Sequence, residues 1–301
     1  MSKRLIAHLS IFTANVIYGL NYTIAKIAMP DFIKPLGFIL IRVIIATALF
    51  WLISPLVKRE KVERSDMLRL FLCGIFGIAI NQLLFFSGLD LTSPIDASII
   101  MISTPILVMV IAFILTGEKL TFFKVGGILL GAAGAALLLL TSPKEANGSG
   151  NLLGNIMILF NALSYGIYLV IAKALMMKYN PLTVLKWSFL FGMFICIPFG
   201  FNQTLEVDWA SLTPKAWFSV VYVIIAATFI AYLLNNLALG TVSSSVVGVY
   251  IYLQPVIAAI VEILVGNTAP SAVKIVAALL IFTGVYLVGR KNSPQPKSLS
   301  A

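Results

Sequence analysis

Residues 15–26 read Asn15-Val16-Ile17-Tyr18-Gly19-Leu20-Asn21-Tyr22-Thr23-Ile24-Ala25-Lys26, and a later stretch reads Asn161-Ala162-Leu163-Ser164-Tyr165-Gly166-Ile167-Tyr168-Leu169-Val170-Ile171-Ala172-Lys173. The interval from Tyr18 to Tyr165 and from Ala25 to Ala172 is 147 residues in both cases. Further along it becomes 150: Leu83-Leu84 matches Leu233-Leu234, Leu89 matches Leu239, and Pro105 matches Pro255. The second half of the chain repeats the first.

Composition says what medium the repeat occupies. The chain has 301 residues, of which 60% are hydrophobic and 11% charged, and its mean hydropathy is +1.03. A soluble domain carries about 25% charged residues to cover its exterior; here the exterior must be lipid. Apolar runs of about 20 residues, the length that crosses roughly 30 Å, are read at 5–27, 35–57, 66–89, 94–116, 121–140, 152–175, 181–200, 214–239, 243–265 and 271–289. The first is too long for a signal-peptide core and lacks a small-residue cleavage site, so it is read as a retained helix. The fold class is therefore an all-α polytopic membrane protein of ten transmembrane helices. Its domains are a first repeat over 1–142, a linker over 143–151, a second repeat over 152–290 and a tail over 291–301.

The net charge of +10 does not form one basic face, so nucleic acid is not a partner. The basic residues sit in loops on one side, at Lys3, Arg4, Lys58, Arg59, Lys61, Arg64, Lys119, Lys178, Arg290, Lys291 and Lys297, against only Lys34 and Lys144 on the other. Positive charge stays cytoplasmic. Both termini are thus expected in the cytoplasm, with the linker outside, in a plasma (inner) membrane. Because each half has five spans, an odd number, the second enters from the opposite side. That is an inverted repeat, an architecture that opens alternately to each face.

The order of these motifs resembles the EamA-type branch of the drug/metabolite transporter superfamily. The likeness rests on Asn15 to Gly19 and Asn161 to Gly166, on Leu89-Asp90-Leu91-Thr92-Ser93, and on mid-span Pro105 followed by Gly117-Glu118-Lys119-Leu120-Thr121. Tyr232 to Leu239 and Tyr252-Leu253-Gln254-Pro255 echo it in the second half. The resemblance implies an exporter of small metabolites such as amino acids, with a central cavity between the halves. One departure is Gly266-Asn267-Thr268, where the family usually has Gly-Glu; Glu262 lies inside the span instead.

Asn15, Tyr18, Tyr22 and Lys26 recur at steps of 3, 4 and 4, and Asn161, Tyr165 and Tyr168 at 4 and 3, so each set shares a helix face. Polar faces avoid lipid and turn into the bundle, where amides and phenols bind a solute or bond helix to helix. Asn81 and Gln82, deep in the third span, face protein or a wet cavity for the same reason. Tyr250 and Gln254 complete the substrate-binding set. Pro105 and Pro255 each remove a backbone donor at matching points and are the hinge candidates.

The charge candidates are Glu262, for proton coupling or hydration near the outer surface, and Arg42, which snorkels or offers its guanidinium to a substrate carboxylate. Lys26, Lys173 and Lys186 read as snorkelling anchors and Asp96 as a helix cap. The small-residue face at Gly127 and Gly131, matched by Ala277, Ala278 and Gly284, reads as scaffold or as a homodimer contact through spans five and ten.

No Walker loop is present, one histidine (His8) and two cysteines support no metal or catalytic cluster, and no cofactor is called for. The chain is not read as an enzyme. The competing readings are an uptake carrier, a facilitative channel and, more remotely, a membrane scaffold.

Overall fold

The computed structural model describes residues 2–25, 27–29, 31–57, 60–92, 97, 100–140, 152–264 and 271–289, without the side chains of 22, 23, 138–140, 258 and 262. Helical rods make up the described residues, labelled α1 (Lys3–Ala25), α2 (Pro35–Leu56), α3 (Arg64–Leu91), α4 (Thr104–Thr116), α5 (Phe122–Leu140), α6 (Leu152–Lys178), α7 (Pro181–Leu205), α8 (Pro214–Leu239), α9 (Ser244–Leu264) and α10 (Ala272–Gly289). Seven of them, α2, α3 and α6 to α10, are long and apolar enough to cross a membrane. The chain is a polytopic membrane protein. Of the other three, α1 spans 23 residues but carries His8, Asn15 and Asn21, and α4 and α5 are shorter apolar helices. The tail and the linker lie outside the described residues.

Local chemistry starts and stops the rods. Pro35, Pro181 and Pro214 open α2, α7 and α8, where their missing N–H costs nothing. Asn180 accepts from the Leu182 N–H at 3.0 Å and Thr213 from the Ala216 N–H at 3.2 Å, capping α7 and α8. Gly117, at φ +63°, ends α4 in the left-handed conformation that glycine adopts without strain.

The most extensive helix pairings among the described residues match when α1–α5 are exchanged for α6–α10. Thus α2 packs on α7 and α5 on α10, while α1 packs on α8 and α9 just as α6 packs on α3 and α4. The first helix of each half leans on the other half, so the two repeats interleave. Internal irregularities are matched too. Both α3 and α8 contain a π-helical stretch, Gly74–Ala79 and Tyr222–Ile230, and these overlap at the 150-residue offset. A π turn leaves carbonyls without their usual partners. In α3 the Phe76 carbonyl accepts from Ser164 at 2.6 Å and the Gly77 carbonyl from Tyr232 at 3.2 Å; in α8 the Val223 carbonyl accepts from Thr228 at 2.7 Å.

The prolines chosen as hinges sit at breaks and not within continuous α-helix. Pro105 lies in the first turn of α4, just after a turn in which the Ser103 N–H bonds the Ile100 carbonyl. Pro255 follows a 3₁₀ stretch, Tyr250–Tyr252, inside α9. The small-residue face of α5 is used within the chain, against Gly284 and Ala277 of α10.

Candidate functional site

A cavity of about 770 Å³, counting its open part, lies between the two interleaved groups of helices. α1 contributes Asn15, Tyr18 and Asn21; α2 contributes Arg42; α3 contributes Asn81, Gln82, Phe85 and Phe86. Asn161 and Tyr165 come from α6, Tyr232 and Asn235 from α8, and Val247, Ile251 and Gln254 from α9, with Met101 just before α4.

Most of the polar side chains are held by a neighbour on another helix. The Gln254 amide donates to Asn15 Oδ1 at 2.9 Å, fixing α9 to α1, and Asn15 donates in turn to the Ile11 carbonyl at 2.8 Å. Asn161 donates to the Asn81 carbonyl at 2.6 Å, and Asn235 to the Tyr165 hydroxyl at 2.9 Å. Gln82 Nε2 donates to the Tyr232 hydroxyl at 2.7 Å. Rings wall the space between them, with Tyr18 edge-on to Tyr232 at 6.5 Å and Tyr232 edge-on to Phe189 at 5.2 Å. The lining thus offers amides and phenols for a solute's polar groups and ring faces for its apolar part.

Arg42 is buried, only 4% exposed. Its Nε donates to Thr228 Oγ1 at 2.9 Å, and its guanidinium lies 5.3 Å from the centre of the Phe86 ring. Its head group lies inside the helix bundle and not in an exposed position, so of the two readings of this residue the snorkelling one is set aside.

The structure brings together Asn15, Tyr18, Asn81, Gln82, Asn161, Tyr165, Gln254 and Arg42 at this cavity. It places two others elsewhere. Tyr168 is buried beside the cavity, its ring over Gly77 and its hydroxyl donating to Asn236 Oδ1 at 2.7 Å; it binds helix to helix. Tyr250 lies in a second cleft at the beginning of α1, its hydroxyl 2.8 Å from His8 Nδ1. The side chains of Tyr22 and Glu262 lie outside the described residues, as does Asp96. Lys173 donates to the Leu239 carbonyl at 2.7 Å and Lys186 lies over the Trp51 ring.

Tyr232, Asn235 and Asn21 were not among the residues singled out from the sequence, although the signal was there. The 150-residue offset carries Gln82 to Tyr232 and Phe85 to Asn235, and a step of 3 from Tyr18 reaches Asn21. Changing Tyr232 to Phe removes one hydroxyl that serves both Gln82 and the Gly77 carbonyl. Two buried groups then lose a partner, and a stability loss of about 1–3 kcal/mol is expected, read as a lowered unfolding midpoint in detergent; an unchanged midpoint would mean that water replaces the phenol.

Comparison with known proteins rests on the whole length of this arrangement. The EamA-like transporter family matches residues 5–140 and, a second time, 152–290. The chain belongs to the EamA-like transporter family. The double match coincides with the two sets of five rods, and the chain is a membrane transporter. It is similar to an uncharacterised transporter of Archaeoglobus fulgidus, 28% identical over 279 residues that cover 91% of this chain and 95% of the relative. It is also similar to the uncharacterised transporter YetK of Bacillus subtilis, at 22% identity over 98% of this chain and 90% of the relative. A WAT1-related protein of Arabidopsis thaliana is 24% identical, covering 97% and 87%. A solved crystal structure shares the fold of this EamA-like chain, with a TM-score of 0.75 and 20% identity over 93% of this chain and 95% of the other.

Proposed function

We propose that this EamA-like chain is a secondary transporter that exports small metabolites, such as amino acids, across the plasma (inner) membrane by alternating access. Ten transmembrane helices form its two inverted five-helix repeats, with both termini cytoplasmic and the linker external. The observation that carries the reading is the cavity's composition: amide and phenol side chains supplied by equivalent helices of both repeats, at matched positions such as Tyr18 with Tyr165. A site shared by two related units is reached from either side when they change their packing. Proton coupling through Glu262 and a homodimer through spans five and ten belong to the same proposal.

Purified protein in liposomes tests it. Saturable exchange of a labelled amino acid or related metabolite is expected, responding to an imposed pH gradient, with the response lost in Glu262→Gln. Flux that rises without saturation would favour a channel. Absence of flux for amino acids, organic anions, nucleosides and organic cations alike, with the protein correctly inserted, would leave the scaffold reading.

A further inference from the structure

We propose that the cavity selects a solute of net charge −1, a carboxylate that also carries a neutral N–H or O–H donor, over zwitterions, neutral molecules and cations. The proposal rests on the transporter reading and narrows its metabolites to monoanions, so that among amino-acid-related solutes the N-acylated forms are favoured over the free zwitterions.

Arg42 supplies the argument. A guanidinium retains its charge under all biological conditions, and a charge taken out of water is strongly unfavourable unless something of opposite sign meets it. Buried charges in proteins are paired for this reason. Among the described residues no carboxylate lies within ion-pair distance of Arg42; its partners are the Thr228 hydroxyl at Nε and the Phe86 ring face. Both leave the two terminal nitrogens, the fork that grips a carboxylate bidentately, without an acceptor among the described residues. Thr228 and Phe86 hold the group in place while its pairing edge is kept for something else.

The rest of the lining sets the total charge. Among the described lining residues Arg42 is the one charged side chain; all others are amides, phenols, Phe, Met or aliphatic. A monoanion therefore makes the loaded cavity neutral. A zwitterion leaves it at +1, with an ammonium that meets only amide and phenol oxygens, and a cation raises it to +2. In a low-dielectric site these differences outweigh the small gains from ring contacts. A second polar atom defines the solute further. Asn21 Oδ1 is buried with no hydrogen-bond partner, on a residue that lines the same cavity. An unmet acceptor calls for a donor, and a neutral amide or hydroxyl satisfies it without adding charge. N-acyl amino acids and hydroxy acids with an apolar side chain have this combination.

The test uses one scaffold in three charge forms. N-acetylphenylalanine is an anion with an amide N–H, phenylalanine is a zwitterion, and N-acetylphenylalaninamide is neutral. Binding to the purified full chain is measured by calorimetry, without transport, so that a failure of the transporter reading in liposomes stays separate from a failure here. The anion is expected to bind at least about tenfold more tightly than either other form, each tenfold being about 1.4 kcal/mol. Arg42→Gln should erase that preference and Arg42→Lys should keep part of it, with unchanged elution on size exclusion showing that they fold. Should the variants not fold, the wild-type ranking decides alone. Phenylalanine binding as tightly as its acetylated form would overturn the proposal. So would a folded Arg42→Gln that still prefers the anion, or an N-acetylphenylalanine that fails to bind at millimolar concentration.

Discussion

Gly284→Leu is expected to cost about 1–3 kcal/mol of stability, and to lower both the detergent unfolding midpoint and the yield of monodisperse protein. Inside a bilayer the hydrophobic effect does not drive helices together, so their close packing decides whether they associate. α5 and α10 share one of the most extensive seams among the described residues, and they approach backbone to backbone. A Cβ on Gly284 would stand 2.5 Å from the Gly127 carbonyl oxygen and 2.8 Å from the Gly131 nitrogen. One on Gly134 would meet the Ala277 carbonyl at 2.7 Å. Main chain cannot turn aside as a side-chain tip can, so a leucine forces the helices apart and the contacts along the seam are lost. Gly126, one residue from the seam, is the control. Nothing lies within 4 Å of its would-be Cβ, and Gly126→Leu should be neutral or slightly stabilising through helix propensity. Equal effects at both positions would show that glycine matters here for some reason other than close approach.

That seam also shows what a sequence reveals and what it hides. The run Gly127, Gly131 and Gly134 with its partners Ala277 and Gly284 was legible as a close-packing face because small residues at helical spacing have few other uses in lipid. Which face it meets was not legible, since spacing is silent on partners. The polar stripes show the same division. Asn15, Tyr18, Asn161 and Tyr165 reach the cavity as their periodicity indicates. Tyr168, on the same stripe, is instead occupied by Asn236, because a residue about one turn further along the helix faces a different neighbour. Tyr250 joins His8 because the 3₁₀ stretch at 250–252 rotates α9 out of α-helical register. The π segments of α3 and α8 were invisible for a related reason. The Phe76 carbonyl freed in α3 is met by Ser164 of another helix, a partner no local residue pattern encodes, while the Val223 carbonyl freed in α8 is met within its own helix by Thr228.

Joining positions 108 and 248 by a disulfide is expected to reduce transport to the rate of protein-free liposomes, and reduction of the bond should restore it. The interleaved packing sets which bodies move. α1 sits with α8 and α9, and α6 with α3 and α4, so the cavity lies between two groups each drawn from both repeats. Rocking would separate these groups and not residues 1–142 from 152–290. Their contact on one side is α4 against α9, where an added Cβ on Gly248 would lie 3.2 Å from Val108 Cβ. Disulfides need Cβ atoms about 3.5–4.5 Å apart, so Val108→Cys with Gly248→Cys can cross-link after a small adjustment. Gly248 is two residues from Tyr250, whose bond to His8 ties α9 to the first turns of α1; the lock therefore acts at the end bearing the N-terminus. Buried Cys73 and Cys196 are first replaced by alanine so that the new pair is the only source of thiols. A carrier must part α4 from α9 at this end once in every cycle, since a single cavity cannot otherwise face both sides. A covalent bond holds the pair through the whole cycle and leaves one face sealed. Full-speed exchange with the 108–248 bond completely formed would show that this contact never opens, and would favour a fixed channel over two alternating states.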